Sequence, residues 1–215
     1  MEKPIDDFVF YRRRLPHIQP NQATFFITTR LAGSLPNHVV KTLQEEQEYW
    51  HRRVELTTDK NEKQKLAHEL GKRYFGEFDE YVNRASTGPM WLRMPEIAEV
   101  VTEALHFRDG KVYDLCCYTI MPNHLHLVIS VLRNDISLYR LLQSLKRHTS
   151  REGNKILKRT GAFWHHESYD HVVRDERELE RILQYVLLNP VKAGLCKSWT
   201  EWKWSYIKPD LVVFD

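Results

Sequence analysis

Cysteine and long apolar runs are scarce in this sequence, and each scarcity excludes a class of protein. The chain of 215 residues has three cysteines, Cys116, Cys117 and Cys196, whose number and spacing suit neither a disulfide framework nor a cysteine-based zinc site. It has no run of about 18 apolar residues, which excludes a transmembrane helix. The N-terminal segment lacks the basic and then apolar pattern of a secretory signal, so we expect a cytoplasmic protein without a membrane partner.

The composition is that of a folded domain. Hydrophobic residues make up 42% and aromatic residues 12%, with only 8 glycines and 9 prolines, so the chain can bury a substantial core and general disorder is excluded. The length suits one large domain or one domain with an insertion. We therefore interpret residues 1–215 as a single domain, and the helical pattern at about 38–90 as an insertion into it.

Positive charge is concentrated in one segment. The net charge is only +3, but seven basic residues stand against one acidic residue between Arg140 and Arg159. Residues 41–84, in contrast, carry nine basic and ten acidic residues. A local excess of cations suits a nucleic-acid backbone. The alternative is a solvated helix face that acidic neighbours balance in space.

Hydrophobic periodicity predicts interleaved strands and helices. A β-branched and aromatic run at 23–30 predicts a strand, and two apolar runs at 113–121 and 124–132, separated by a Pro-Asn pair, predict a hairpin. Helical spacing predicts helices within 38–84, at 95–106, at 136–149 and at 175–189, where we expect Pro190 to end the last one. The pattern indicates an α+β fold, an antiparallel-containing sheet flanked by helices, with a helical insertion.

Two histidines begin the second strand of the predicted hairpin. Because side chains alternate across a strand, His124 and His126 share one face, where two imidazoles can converge on one metal ion. Leu125 and Leu127 then point into the core on the other face. The alternative is a strand whose polar face carries two histidines without a ligand.

A tyrosine and an asparagine lie one turn apart on the predicted helix at 175–189. At 100° per residue, Tyr185 and Asn189 are separated by about 40° around the axis, at the edge of the apolar stripe. A tyrosine there can pack its ring on apolar surface and present its hydroxyl to a neighbouring cleft. The alternative is a core-edge aromatic with a solvated hydroxyl.

Four segments in this order and spacing carry a specific resemblance. The segments MPNHLHLVI, LLQSLKR, GAFWHHESYDHVVRD and YVLLNPVKAGL resemble those of the single-tyrosine transposases of small bacterial insertion sequences, the HUH superfamily. The chain is most similar to the REP-associated tyrosine transposases, over about 10–34 and 90–207. The resemblance implies a ferredoxin-like or RRM-like core. It also implies a single-stranded DNA endonuclease and strand transferase that acts on hairpin-containing DNA through a 5′-phosphotyrosine intermediate.

The resemblance also implies roles for individual residues. His124 and His126 match the pair that holds a divalent metal, Tyr185 matches the nucleophile, and Asn189 matches the polar residue that serves as third ligand in relatives. The implied cofactor is Mg²⁺ or Mn²⁺, the implied partner is single-stranded DNA with hairpins, and the implied state is a monomer or a homodimer. Intact His124, His126 and Tyr185 argue against the alternative of a non-catalytic hairpin-binding protein on the same fold. Val128 stands where a histidine-triad hydrolase needs its third histidine, which argues against that class.

Six cationic residues are expected to contact DNA phosphates. Such contacts supply affinity and leave sequence choice to other interactions. Four lie in or near the basic helix and two flank the helix that carries the tyrosine. They are Arg140, Lys146, Arg147, Arg151, Arg174 and Lys192.

Overall fold

A five-stranded antiparallel sheet organises the part of the chain that the computed structural model describes, residues 9–12, 16–19, 23–85, 87–133 and 135–211. In chain order the strands are β1 (Val9–Arg12), β2 (Pro16–Gln19), β3 (Thr24–Arg30), β4 (Tyr113–Ile120), β5 (His124–Val131), β6 (Tyr169–Val172) and β7 (Ser205–Ile207). Strands β1 and β2 pair with each other. The sheet has the order β6-β3-β5-β4-β7, and every neighbouring pair in it is antiparallel.

Five longer helices accompany the strands. They are α1 (Asn37–Leu56), α2 (Lys60–Arg84), α3 (Pro95–His106), α4 (Leu138–Ile156) and α5 (Glu176–Lys192). Helices α1 and α2 occupy the segment that the sequence predicts as a helical insertion, and β4 and β5 form the predicted hairpin. The predicted α+β class is therefore confirmed. Among the described helices, none combines the length and apolarity needed to cross a membrane.

The two faces of the sheet carry different helices. Alternate side chains of β3 show the division: Phe25 and Ile27 enter a core with α3 and α4, whereas Phe26 enters a core with α5. Helix α4 packs through an apolar stripe at helical spacing, which includes Leu138, Leu141 and Leu145. In β5, Leu125 and Leu127 join the α3–α4 core as predicted, so His124 and His126 face the α5 side.

A bulge in β4 explains the adjacent cysteines. The register with β5 shifts between Leu115, opposite Ile129, and Cys117, opposite Val128. The extra residue, Cys116, interrupts the alternation, so both cysteines lie in the core on the α5 side. Burial raises the pKa of both thiols, which suits packing residues rather than reactive ones.

The prediction that Pro190 ends the last helix is wrong. Helix α5 continues to Lys192, because a proline in the last turn removes only its own N–H and the following groups still find acceptors. The N–H groups of Ala193 and Leu195 donate to the carbonyls of Asn189 and Pro190, at 2.9 Å each.

The contact between α4 and the segment before β6 predicts a stability difference between two glycines. A β-carbon at Gly153 would lie 2.6 Å from Cε2 of the buried Phe163, whereas one at Gly76 in α2 would meet nothing within 4 Å. We expect Gly153→Ala to lower the free energy of unfolding by about 1–2 kcal/mol through overpacking. Gly76→Ala is expected to raise it by up to about 1 kcal/mol through helix propensity. Urea denaturation of the two variants measures both, and an equal effect would contradict the packing argument.

Candidate functional site

Two histidines are completely buried on the α5 side of the sheet. His124 and His126 both have 0% exposure, and their Nε2 atoms lie 3.1 Å apart. They stand opposite Arg30 and Thr28 in the register with β3, which places them at the end of the central strand that follows the hairpin turn. The pair that the sequence predicts is therefore brought to one point.

Hydrogen bonds at the opposite ring nitrogens hold both imidazoles. Nδ1 of His124 lies 2.7 Å from Oδ1 of Asn123, and Nδ1 of His126 lies 2.8 Å from the hydroxyl of Thr28. The Asn123 amide donates from Nδ2 to the carbonyl of Val82 at 2.9 Å, so its Oδ1 can only accept from His124. We therefore assign the proton of His124 to Nδ1, which leaves a lone pair on Nε2. Outer contacts of this kind orient metal-binding histidines.

A carboxylate from the helical insertion completes the cluster. Asp79, in α2, is buried, and its Oδ1 lies 3.2 Å from Nε2 of His126. Its Oδ2 accepts a hydrogen bond from Nδ2 of Asn83 at 2.7 Å, whereas Oδ1 has no well-aligned donor among the described residues. One ligand atom from each of Asp79, His124 and His126 lies within 4.8 Å of the other two.

The spacing of these three atoms fits a divalent ion. In an octahedral site with bonds of about 2.1 Å, neighbouring ligand atoms are separated by about 3.0 Å. The two measured separations, 3.1 and 3.2 Å, match that value. Two imidazole nitrogens and one carboxylate oxygen can hold a divalent ion, and the orphaned Oδ1 of Asp79 is the buried acceptor that such an ion would satisfy.

The electrostatics keep His124 and Asp79 in the protonation states that a metal requires. Burial, reinforced by the neighbouring His126, holds the pKa of His124 well below its usual value, so the imidazole is neutral. Burial raises the pKa of Asp79, but contact with His126 and the proximity of His124 outweigh it and lower that pKa to about 2. A neutral imidazole and an ionised carboxylate are the forms that bind a metal.

Helix α5 brings the predicted nucleophile to this cluster. The ring centroid of Tyr185 lies 5.6 Å from that of His126 and 5.6 Å from that of Phe75 in α2. Burial and the nearby Asp79 carboxylate raise the pKa of Tyr185, so the hydroxyl is protonated at neutral pH. The Asn189 amide donates from Nδ2 to the Tyr185 oxygen at 3.2 Å, and its own Oδ1 is buried without a described partner.

One of the six predicted DNA contacts lies beside the tyrosine. Nζ of Lys192, at the exposed end of α5, lies 5.2 Å from the Tyr185 ring centroid. Arg174 precedes α5; its side chain is exposed, and its backbone N–H donates to Glu178 at 3.0 Å.

The other four lie on α4, which packs on the sheet face opposite to the histidines. Arg140 and Arg147 are exposed there, and Arg151 is exposed with its Nε 2.6 Å from Glu152. Lys146 donates from Nζ to the carbonyls of the segment before β6, at 2.9 Å to His165, which gives it a structural role. Arg147 and Lys146 line a groove of about 340 Å³ between α4 and residues 161–170. The role of all six residues in DNA binding stays a prediction.

Asp79 is the site residue that sequence reasoning missed. It is one of ten acidic residues among 41–84, and no spacing or motif distinguishes it from its neighbours. Only the docking of α2 against the sheet separates it from the exposed Glu80 that follows it. Sequence reasoning left the role of the insertion open, and its helix α2 supplies one of the three side chains of the cluster.

Comparison with known proteins points to one family. A family model described as "Transposase IS200 like" matches residues 93–189, a segment that contains both histidines, Tyr185 and Asn189 but neither α1 nor α2. These four residues are the ones that the sequence resemblance singled out.

Two curated relatives agree with this match. A Haemophilus influenzae protein assigned to the REP-associated tyrosine transposases is 25% identical over 108 residues, which is 46% of this chain and 61% of the relative. The REP-associated tyrosine transposase of Escherichia coli is 21% identical over 105 residues, 48% of this chain and 60% of the relative. The matches thus span about 60% of the length of these relatives. They confirm the resemblance to REP-associated tyrosine transposases.

One solved structure is also similar. A REP-associated tyrosine transposase bound to a REP hairpin aligns with a TM-score of 0.49 and 12% identity, over 100% of this chain and 93% of that one.

The hydrogen bonds of Asn123 predict an effect on metal affinity. Asn123→Ala removes the acceptor that orients His124 and the donor that holds the carbonyl of Val82. Because loss of an outer contact typically costs 10–100-fold in metal affinity, we expect about that loss of Mn²⁺ affinity in isothermal titration calorimetry. The matched control is Asn154→Ala, which removes an amide on α4 that binds the carbonyl of Gly161 at 2.9 Å. Equal affinities in the two variants would contradict the orienting role.

Proposed function

We propose that this chain, a relative of the REP-associated tyrosine transposases over its central segment, is a metal-dependent single-stranded DNA endonuclease and strand transferase. Its substrate is hairpin-containing DNA, and Tyr185 forms a 5′-phosphotyrosine intermediate. The observation that carries the proposal is the position of Tyr185 beside a buried His–His–Asp cluster that fits a divalent ion. The ring centroids of Tyr185 and His126 lie 5.6 Å apart. Apolar packing of the tyrosine ring alone would not explain its position next to three buried polar side chains.

The metal site is proposed to use His124, His126 and Asp79. Asn189 remains the candidate for a further ligand, and its orphaned, buried Oδ1 supports that assignment. A mixed set of imidazole nitrogen and carboxylate oxygen accepts Mn²⁺ or Mg²⁺ with bound waters. When bound, the ion would neutralise phosphate oxygens and hold the phosphodiester in line for attack.

The residues around Tyr185 prepare its oxygen for attack. The Asn189 amide donates to that oxygen and thereby fixes the direction of its lone pairs. In the proposed step a bond forms between this oxygen and phosphorus, and the bond from phosphorus to the 3′ oxygen breaks. The phenol loses one proton and the departing 3′ oxygen gains one, so the step balances. The covalent link conserves the energy of the broken bond, so rejoining needs no nucleotide cofactor.

A covalent adduct is the expected product of this step. Single-stranded hairpin DNA, labelled at either end and incubated with Mn²⁺ or Mg²⁺, should give a denaturant-stable protein–DNA band on a denaturing gel. Tyr185→Phe should abolish the adduct, since the variant lacks the phenolic oxygen that forms the bond to phosphorus. The adduct should also disappear in excess chelator.

The control for this experiment is Tyr81→Phe. Tyr81 lies on the exposed side of α2 and is 43% exposed, so its loss should leave adduct formation unchanged. Hairpin binding without cleavage under either metal would favour the alternative function, a non-catalytic hairpin-binding protein on the same fold.

The ligand role of Asp79 predicts a metal-binding defect in a variant of almost the same shape. Asp79→Asn replaces the ionised oxygen with a neutral amide, and we expect it to weaken Mn²⁺ binding by about 100-fold or more, because loss of outer contacts alone reaches that scale. Titration calorimetry with Mn²⁺ measures the affinity directly. Glu80→Gln is the matched control, since Glu80 is the adjacent carboxylate and forms an exposed ion pair with Arg84 at 2.7 Å.

The same titration separates the two candidate ligands. Unchanged affinity in Asp79→Asn together with a loss in Asn189→Ala would assign the third position to Asn189 and overturn the role of Asp79. Losses in both variants would place both side chains on the ion.

A further inference from the structure

A small cavity beside the metal cluster contains a buried arginine that no carboxylate neutralises. Arg30, the last residue of β3, is 3% exposed. Its only hydrogen bonds among the described residues run from Nη1 to the carbonyl of Leu31 and the hydroxyl of Ser34, both at 3.5 Å. Nε and Nη2 therefore have no described acceptor. Burial lowers the pKa of Arg30 to about 10, so the guanidinium is still charged at neutral pH. An uncompensated buried charge destabilises a fold, and a bound anion would remove that penalty.

A second orphaned donor lines the same cavity. Nε2 of Gln47, on α1, is buried and has no hydrogen-bond partner among the described residues. Tyr74, on α2, contributes a hydroxyl whose pKa burial raises to about 12 against the opposing charge of Arg30, so it carries a proton to donate. The cavity thus gathers hydrogen-bond donors from β3 and from both helices of the insertion. Because the cavity has more hydrogen-bond donors than acceptors facing them, it suits a ligand that is rich in acceptor atoms.

The other charges at the cavity leave it positive at its base. Burial, with the charge of Arg30, lowers the pKa of His165 to about 3, so this imidazole is neutral. Within the described part of the chain, Glu167 is the one carboxylate lining the cavity, and its Oε1 lies 3.2 Å from Nε2 of the exposed His166 side chain. A ligand that reaches Arg30 therefore meets a single cation surrounded by neutral donors.

We infer that this cavity binds one phosphate group through Arg30 and Gln47. Its volume of about 50 Å³ holds about three or four waters at roughly 15 Å³ each, which suits a tetrahedral oxyanion and is too small for a nucleobase. The planar fork of an arginine pairs with two phosphate oxygens at once. The inference gives the helical insertion a second task beside the placement of Asp79, because Gln47 and Tyr74 both belong to it.

The position of the cavity indicates where the phosphate comes from. Arg30 is the direct cross-strand partner of His124, and both side chains lie on the α5 side of the sheet. A DNA strand whose scissile phosphate lies at the cluster has neighbouring phosphates within reach of this point. This source rests on the proposed function, whereas phosphate binding itself does not.

Thermal unfolding of the whole chain in inorganic phosphate tests the site without reference to catalysis. At constant ionic strength, replacement of chloride by phosphate should raise the Tm of the wild-type protein saturably. Arg30→Met should abolish that rise while its Tm in chloride stays equal to or above the wild-type value, because the variant removes an uncompensated buried charge. Arg93→Met, at an exposed arginine, should retain the rise. No phosphate-specific rise in the wild type, or an equal rise in Arg30→Met, would overturn the inference.

Two further variants decide the matter if Arg30→Met does not fold. Gln47→Leu removes the orphaned donor and should weaken phosphate binding at least threefold. Glu167→Gln removes the only lining carboxylate and should strengthen phosphate binding by a similar factor. A purely structural role for these residues predicts no opposite shifts, so unchanged phosphate affinity in both variants would contradict the inference.

Binding of a single-stranded hairpin oligonucleotide identifies the source of the phosphate. If the group belongs to DNA, the slope of log K against log salt should fall in magnitude by about 0.7 in Arg30→Met, the value for one lost contact to a single strand. An unchanged slope together with lost phosphate binding would assign the cavity to a free phosphate compound. The phosphate-dependent rise in Tm requires no DNA cleavage, so failure of the catalytic proposal and failure of this one are distinguishable.

Discussion

The buried contact between Asp79 and the histidine pair is the constraint on which the rest of the site depends. The transfer of a carboxylate from water into the protein interior costs several kcal/mol unless neighbouring groups compensate for the lost hydration. This cost is roughly that of breaking a buried ion pair. Here the amide of Asn83 donates to Oδ2 at 2.7 Å, and the proximity of Oδ1 to Nε2 of His126, 3.2 Å away, helps to keep the pKa of the carboxyl low despite burial. The hydrogen bond from Asn123 to the carbonyl of Val82 ties the hairpin turn to the same helix. The geometry of the site therefore depends on the packing of α2 against the sheet.

The candidate site lies on one face of the sheet, and the basic helix α4 packs on the other. Helices α3 and α4 cover one face with aliphatic packing, while α5 and α2 cover the other with an aromatic layer in which Phe26 and Phe75 contact Tyr185 edge-on, at 6.0 and 5.6 Å between ring centroids. Antiparallel alternation in β5 is the cause, because it sends leucines to one face and histidines to the other. DNA that touched both the basic helix α4 and Tyr185 would have to pass around an edge of the sheet.

Local patterns predicted most elements because each depends on neighbours in sequence. The hairpin around Pro122 and Asn123 follows from turn chemistry, and the apolar stripe of α4 follows from helical spacing. The exception at Pro190 has the same kind of cause, since one missing N–H in a last turn does not halt a helix whose later donors find acceptors. Along α2, Val82 is buried in a cluster with Val39 and Leu43 of α1, whereas the adjacent Tyr81 is 43% exposed, because packing between the two helices decides which edge of α2 is covered.

Sequence by itself determined the class of fold, the histidine pair on one strand face and the tyrosine one turn before Asn189. These follow from periods of two and 3.6 residues and from a motif of ordered segments. Tertiary structure alone decided that α2 supplies Asp79, that Arg30 and Gln47 share a cavity, and that α4 lies on the far face. Asp79 is separated from His124 by more than forty positions, and no short-range rule connects a helix in an insertion to a distant strand. The physical reason is that burial, which distinguishes Asp79 from Glu80, belongs to the packed molecule and to no local stretch of it.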